Sequence, residues 1–281
     1  MNFNSWNWFW SVCFGVSAVV IIISNSLSIA VLVKGRFRKR SLYLLIDLAI
    51  ADLLVGLFAV PIYMITVISE DKFMPGVVLD SVDMFTGLSS IFTLTVISLE
   101  RLFAISRPLR HRQLSSHSYA IAIATPWILS LAVTSVRVLQ HYSIVANHQI
   151  FTVITISLST SLLITCTSYC LIWRKQTSRI QNGVRARTEA RMSKILFLIT
   201  GTFVLTWLPF KVLLVVVNMC VPCSRKMLAV VVFVLKLLQF SNSFINFLIY
   251  CLRMPDYRKA VSQLFSSANP AVTPIILRLI R

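Results

Sequence analysis

Acidic residues are the scarcest charged group in this chain, with only nine aspartates and glutamates among 281 residues. All charged residues together make up 13% of the sequence, whereas soluble globular chains contain about 25%. Hydrophobic residues make up 57%. This balance excludes an ordinary soluble domain, whose surface needs many more charges, and it predicts a membrane protein.

Motifs of enzymes and transporters are also lacking. The sequence contains no His-Glu-x-x-His or Gly-x-Ser-x-Gly motif and no pair of catalytic aspartates in matched spans, so it does not indicate an intramembrane enzyme. It has only seven glycines, few of them within apolar segments, which argues against the paired discontinuous helices of many transporters. A transporter or channel stays the main alternative class, because ionisable residues inside a membrane also serve ion pathways.

Long apolar segments are what the sequence has in abundance. A bilayer core of about 30 Å needs roughly 20 apolar residues in a helix. Seven segments of sufficient length cover residues 9–33, 42–69, 77–100, 117–139, 144–173, 193–220 and 227–252. We therefore predict an all-α membrane protein, a seven-transmembrane helix bundle formed by a single domain over residues 1–281.

A further short helix is predicted after the seventh span. Residues 255–265 combine basic side chains with an apolar face. That pattern is typical of an amphipathic helix that lies on the inner membrane surface.

Basic residues are distributed unevenly around the spans. Of the 27 lysines and arginines, 21 fall in residues 34–41, 101–116, 174–194 and the tail from residue 253, which all lie on one side of a seven-span bundle. The positive-inside rule places these segments in the cytoplasm and the N-terminus outside the cell. We expect a multi-pass plasma-membrane protein whose basic surface contacts membrane lipids. A nucleic-acid partner is not expected, despite the net charge of +18.

Ionisable side chains interrupt several spans, and inserting each one costs roughly 2.5–3.5 kcal/mol. In span three, Asp83 near the outer end and Arg101 at the inner end are 18 residues apart. That separation is five helical turns, or about 27 Å, so both residues share one face with Ser90. The pattern is typical of a helix that transmits a signal, although an interfacial aspartate and a snorkelling arginine would produce it as well.

Short motifs follow one another along the seven spans. They are Asn25 in span one, Leu48 to Asp52 in span two, Glu100-Arg101-Leu102 in span three, Trp127 in span four, Tyr169 in span five, Phe203 and Thr206-Trp207-Leu208-Pro209 in span six, and Asn246-Phe247-Leu248-Ile249-Tyr250 in span seven. In this order they resemble the hallmark residues of the rhodopsin-like (class A) G-protein-coupled receptors. The resemblance covers most of the chain.

Several positions depart from the family pattern. Leu102 replaces the usual Tyr, Thr206 the usual Cys, and Ser161 the usual Pro of span five. Phe247 replaces the proline that normally distorts span seven, which predicts a straighter inner end. Span seven also has Phe240, not Lys, at the position that links retinal in opsins, so a Schiff base there is not expected.

Cysteine placement departs as well. No cysteine lies at the outer end of span three or in the second outer loop, so the disulfide common in the family cannot form. Cys220 and Cys223 frame an outer loop, where a disulfide between them is chemically permitted.

The resemblance implies a receptor, not an enzyme, that binds an extracellular small-molecule or peptide ligand and activates a heterotrimeric G protein. It implies that Arg101 pairs with Glu100 and reaches toward Glu189 in the inactive state. Pro209 would let span six kink, so that its inner end swings outward. The other switch residues implied by the resemblance are Phe203, Trp207, Asn246 and Tyr250.

Polar residues at mid-depth are implied to converge on a hydrated Na⁺. They are Asp52, Ser90, Asn242, Ser243 and Asn246. A hard cation prefers carboxylate and amide oxygens of this kind. A hydrogen-bonded polar core with water explains the same residues, and no other cofactor is expected.

The ligand site is expected in the outer cavity, at Asp80, Asp83, Phe210, Lys211 and Lys236. Asp83 matches the position at which amine receptors of the family pair with a cationic amine, which favours an amine or zwitterionic ligand. Lys211 and Lys236 would line the same cavity. Either lysine would neutralise Asp83, or both would hold an anionic or zwitterionic ligand.

The charge distribution generates a topological prediction. An epitope tag at the N-terminus should be stained on intact cells, and a tag at the C-terminus only after permeabilisation, because the basic segments stay in the cytoplasm. A C-terminal tag stained on intact cells would contradict the seven-span topology.

Overall fold

The computed structural model describes residues 7–34, 42–69, 76–178, 184–219 and 229–268. Every regular element in these ranges is helical, and seven helices are long and apolar enough to cross a membrane, which confirms the predicted fold class. In chain order the elements are α1 (Asn7–Lys34), α2 (Leu42–Leu54), a π-helical turn (Val55–Ala59), α3 (Val60–Ser69), α4 (Gly76–Ser106), α5 (Pro108–Arg112), α6 (Ser116–His141), α7 (Asn147–Ser178), α8 (Val184–Met219), α9 (Ala229–Arg253) and α10 (Pro255–Ala268). Spans one to seven are α1, α2 with α3, α4, α6, α7, α8 and α9.

Spans five and six extend further on the inner side than their apolar residues predict. α7 continues to Ser178 and α8 begins at Val184, so most of the loop expected at residues 174–194 is helical. The apolar part of span six covers only Phe197–Val216. The number of apolar residues therefore indicates only the part of a helix that crosses the membrane. The segment that precedes this part in span six contains Arg, Ala and Glu, and it is helical because these residues have high helix propensity.

The second span is continuous but contains one wide turn. Pro61 has no backbone N–H, and its ring crowds the carbonyl of the preceding turn. The π-helical turn Val55–Ala59 accommodates this, with the Val60 N–H bonded to the Val55 carbonyl. Among the described residues, no span is split into the two half-helices that the transporter alternative requires.

Span three is the central helix of the bundle. Its apolar segment is 61% buried, against 17% to 44% for the other six spans. Small hydroxyl side chains on its buried surface let neighbouring helices approach closely. They are Thr86, Ser89, Ser90, Thr93, Thr95 and Ser98. Span three contacts spans two, four, five and six.

The predicted surface helix is present as α10, with Pro255 at its first position, where a missing N–H costs nothing. Tyr257 is fully buried, and its hydroxyl donates a 2.9 Å hydrogen bond to Ser28 of span one. Its ring packs against Phe247 and Tyr250 of span seven. Burial also raises the pKa of the Tyr257 phenol, so it stays a donor at physiological pH. This one side chain therefore fastens α10 to spans one and seven.

Candidate functional site

An ion pair joins spans three and seven near their outer ends. Lys236 Nζ lies 2.6 Å from Asp83 Oδ2, with 4% of the Lys236 side chain and 18% of the Asp83 side chain exposed. Lys236 also donates to Gln239 Oε1 at 3.3 Å. Of the two lysines that the sequence left open as partners for Asp83, the structure pairs it with Lys236.

Aromatic rings surround the same ammonium group. Lys236 Nζ lies 4.6 Å from the ring centroid of Phe210, 4.9 Å from that of Phe240 and 5.5 Å from that of Tyr63. A cation against aromatic faces gains about 0.5–2 kcal/mol at each favourable contact. Phe210 was expected at the ligand site, and its ring lies beside the buried cation. Lys236 is therefore fixed from several sides.

Asp80, the other acidic residue expected at the ligand site, has a partner on span four. Arg137 Nη2 lies 2.7 Å and Arg137 Nε 3.2 Å from Asp80 Oδ2, and Arg137 also bonds the Gln140 side chain. Half of the Asp80 side chain is exposed, so this pair contributes little to stability. Sequence alone does not predict Arg137 as its partner, since the two residues are 57 positions apart.

Lys211 lies on the same side of the bundle without a carboxylate partner among the described residues. Its Nζ is 5.2 Å from the ring centroid of Trp207, one helical turn further inward. The side chain is half-buried. Of the two lysines expected at the ligand site, it is the one that no carboxylate in the described part of the chain pairs with.

A narrow cavity runs inward from the Asp83 ion pair. Asp83 and Gln239 line its outer part, Trp207 and Gly87 its wall, and Ser90 and Asn242 its inner part, among other residues. The structure thus connects the expected ligand site to the expected cation site.

Trp207 packs against span three because Gly87 has no side chain. An ideal Cβ at Gly87 would lie 2.8 Å from Trp207 Cζ2 and closer still to Cη2. On its other side the Trp207 ring stacks on Phe203, with centroids 5.0 Å apart and planes at 19°. Gly87 is a site residue that the sequence motifs do not reveal.

Asp52 is fully buried beside Ser90, one of the residues that line this cavity. Its Oδ1 accepts a 2.9 Å hydrogen bond from Ser90, and its Oδ2 accepts a 2.7 Å bond from Asn246. Ser243 lies beside the same carboxyl group. The buried oxygens Asn242 Oδ1 and Asn246 Oδ1 have no hydrogen-bond partner among the described residues. All five residues expected around the cation are therefore buried between spans two, three and seven, and their free oxygens fit a hydrated hard cation.

A second buried carboxyl group lies five residues earlier in span two. Asp47 accepts a 2.8 Å bond from Trp127 Nε1 of span four and a 3.3 Å bond from Thr93 of span three. Trp127 was expected from its motif, but the motif does not indicate its partner. These bonds hold spans two, three and four together.

The inner end of span three has a cluster around Glu100. Arg101 Nε and His111 Nε2 each lie 2.6 Å from a different Glu100 oxygen, and the Tyr119 hydroxyl donates a 3.2 Å bond. The pair between Glu100 and Arg101 was expected from the motif. His111, carried by α5, and Tyr119 of span four were not.

The remaining switch residues have unequal support. Pro209 lies within α8, and Tyr250 is buried with its hydroxyl unpaired among the described residues. Glu189 belongs to α8 as well, but its side chain lies outside the described part of the structure. Cys220 and Cys223 lie outside the described residues, so their disulfide stays a prediction.

Comparisons with known proteins agree with the motif order. The model of the family described as 7 transmembrane receptor (rhodopsin family) matches residues 24–250. The chain is 36% identical to the cholecystokinin receptor type A of Canis lupus familiaris over 117 residues, which are 40% of this chain and 27% of that receptor. It is 31% identical to the 5-hydroxytryptamine receptor 2B of Mus musculus over 131 residues, 44% of this chain and 27% of the receptor.

A third relative aligns over a longer range. The QRFP-like peptide receptor of Branchiostoma floridae is 23% identical over 276 residues, which are 85% of this chain and 72% of that protein. The first two alignments span only about a quarter of the relatives' own length.

The contact between Gly87 and Trp207 can be tested by stability. Gly87→Ala should lower the free energy of unfolding by about 1–3 kcal/mol, because the added methyl group overlaps the Trp207 ring. Thermal unfolding of the purified protein measures it. Gly201→Ala is the matched control, since nothing lies within 4 Å of the Cβ position there. Equal unfolding midpoints for the two variants would contradict the contact.

Proposed function

Because the chain belongs to the rhodopsin family of seven-transmembrane receptors, we propose that it binds an extracellular ligand between its outer span ends and activates a heterotrimeric G protein at its inner ends. Membership of this family makes the protein a multi-pass membrane receptor and not an enzyme. We further propose that its N-terminus is extracellular and its C-terminus cytoplasmic, in the plasma membrane.

One observation supports this proposal above the others. A single continuous helix, Gly76–Ser106, carries the Asp83 ion pair at one end and the Glu100–Arg101 cluster at the other. Between them Ser90 bonds Asp52, whose other oxygen bonds Asn246 of span seven. A ligand that prefers one arrangement of these contacts shifts the population of receptor conformations, and the inner cluster changes with it.

Span six provides the moving part of this proposed mechanism. Trp207 forms a wall of the outer cavity and stacks on Phe203, and Pro209 follows it two residues later. The proline removes one backbone hydrogen bond and permits a kink. A ligand that displaces Trp207 from Gly87 would rotate the helix segment below it and release the inner end of span six.

At mid-depth we propose a hydrated Na⁺ held by Asp52, Ser90, Ser243, Asn242 and Asn246. The support is chemical. One carboxylate, two hydroxyls and two amide groups are buried close together, and among the described residues the two amide oxygens have no hydrogen-bond partner. The cation would supply positive charge opposite Asp52 and stabilise the conformation in which spans two, three and seven pack together.

The coupling proposal predicts a ligand-independent phenotype. Glu100→Gln should raise basal G-protein activation several-fold, because it weakens the hold on Arg101 and coupling energies are about 1–3 kcal/mol. Arg101→Ala should abolish activation. Sensors for each G-protein class, read in cells at matched surface expression, measure both effects.

Glu100→Asp, which keeps the charge, is the matched control and should signal close to the unmodified level. Glu189→Ala should also raise basal activity if its side chain contacts Arg101. If neither the unmodified receptor nor Glu100→Gln activates a G protein with any of the sensors, G-protein coupling is refuted.

The cation proposal predicts a specific stabilisation. Replacing choline chloride by sodium chloride should raise the thermal unfolding midpoint, because a ligand bound only by the folded state stabilises it. Asp52→Asn should remove this response. Asp47→Asn is the control and should retain it, since Trp127 and Thr93 occupy the Asp47 oxygens. If sodium shifts the unfolding midpoint equally in the unmodified protein, Asp52→Asn and Asp47→Asn, the cation site is refuted and these residues form only a hydrogen-bonded polar core.

A further inference from the structure

The outer part of the bundle has an unequal balance of charges. Its charged side chains among the described residues are Asp80, Asp83, Arg137, Lys211 and Lys236. Each acid is already paired, Asp80 with Arg137 at 2.7 Å and Asp83 with Lys236 at 2.6 Å. Lys211 is left over, so the described residues give this region one surplus positive charge.

The Asp83 carboxylate is poorly available to an amine ligand. A cationic amine would have to displace Lys236, whose side chain is 4% exposed. Lys236 is also bonded to Gln239 and held against three aromatic rings, so leaving it unpaired there would be costly. The amine ligand that Asp83 suggests in the sequence is therefore disfavoured by the structure. A zwitterion is disfavoured for the same reason, because its ammonium group needs the same carboxylate.

Lys211 is placed to receive the ligand's charge. It is half-buried, and its Nζ lies over the Trp207 ring at 5.2 Å. A cation–π contact does not neutralise the ammonium charge. The charged groups that act most strongly on it are Asp83, Lys236 and Asp80, and both aspartates already have their own cations. An anion from outside the protein would complete the balance.

We propose that the ligand of this receptor is a small organic monocarboxylate, bound through a charge-assisted hydrogen bond from Lys211 Nζ. Among the described residues the surplus is a single positive charge, which favours a monoanion over a dianion. The rings of Trp207 and Phe210 beside the two lysines favour an apolar body behind the carboxylate. This inference rests on the proposed receptor function and names the chemistry of its ligand.

The same contact links binding to the proposed switch. Lys211 and Trp207 are four residues apart on span six, so they lie on one face of the helix. A carboxylate that draws Lys211 away from the indole ring removes a contact that holds Trp207 in place. Trp207 then moves relative to Gly87, the neighbour against which it packs.

The test uses the purified full chain in nanodiscs of neutral lipid and matched sets of probes that differ only in the head group. The sets are phenylacetate, phenylacetamide and phenethylamine; indole-3-acetate, indole-3-acetamide and tryptamine; and octanoate, octanamide and octylamine. Retention on the receptor is measured by mass spectrometry. In at least one set, the acid should be retained about ten- to a hundred-fold more strongly than the amide, the range that a charge-assisted hydrogen bond provides.

Four variants at these charged positions have different expected outcomes. Lys211→Met should abolish the preference for the acid, and Lys211→Arg should keep it. Asp83→Asn should strengthen acid retention, since Lys236 loses its partner and becomes a second free cation. Lys236→Met should weaken the preference for the acid, since the Asp83 carboxylate is then available to Lys211 and to amines. A general loss of folding would not produce this pattern. The thermal unfolding midpoint of each variant shows whether that variant is folded.

The proposal is overturned if the unmodified receptor retains no acid above its amide, if it prefers the amines, or if the acid preference survives Lys211→Met. If Lys211→Met fails to fold, Lys211→Gln takes its place. Asp83→Asn then still tests whether acid retention increases when Lys236 loses its partner. The basal response of Glu100→Gln is independent of any ligand. A receptor that couples to G proteins but rejects acids would therefore refute this inference alone.

Discussion

A carboxylate between membrane helices needs hydrogen-bond donors or a cation, since water is not there to solvate it. Four carboxylates along spans two and three meet this need through different neighbours. Asp83 pairs with Lys236 of span seven, and Asp52 accepts from Ser90 and Asn246. Asp47 and Glu100 both use donors on span four, and their partners are Trp127 and Tyr119 respectively. These bonds determine which helices pack together and at what depth.

The position of one lysine determines the chemistry of the outer cavity. If Lys236 pointed elsewhere, Asp83 would be an anionic site for amines. Because Lys236 is buried against Asp83, that carboxylate is already paired, and Lys211 is the lysine of this region without a carboxylate partner among the described residues. The family includes receptors named for peptides and for an amine, so family membership alone leaves this choice open.

Some contacts between motif residues follow from the sequence because each motif residue has a fixed place on its own helix. Glu100 and Arg101 pair as adjacent residues, and Asp52 meets the polar residues of spans three and seven that the resemblance implied. The partners that lie outside the motifs were missed. His111 reaches Glu100 through α5, and Gly87 makes room for Trp207, neither of which leaves a signal in composition or periodicity.

The number of spans and their approximate membrane limits were determined by the sequence, because the bilayer thickness requires an apolar length that can be counted along the chain. The uneven distribution of basic residues supports the predicted orientation, because it too can be counted along the chain. Helix ends outside the membrane, such as the start of α8 at Val184, depend on helix propensity that apolar counting does not measure.

Only the tertiary structure decided the partner of Asp83. Lys236 and Lys211 are both lysines on outer halves of spans, and Lys236 lies 153 residues from Asp83. The direction in which each lysine side chain points depends on how its span is rotated when it packs against the other spans. The sequence of a single span does not specify that rotation, so it does not specify which lysine pairs with Asp83.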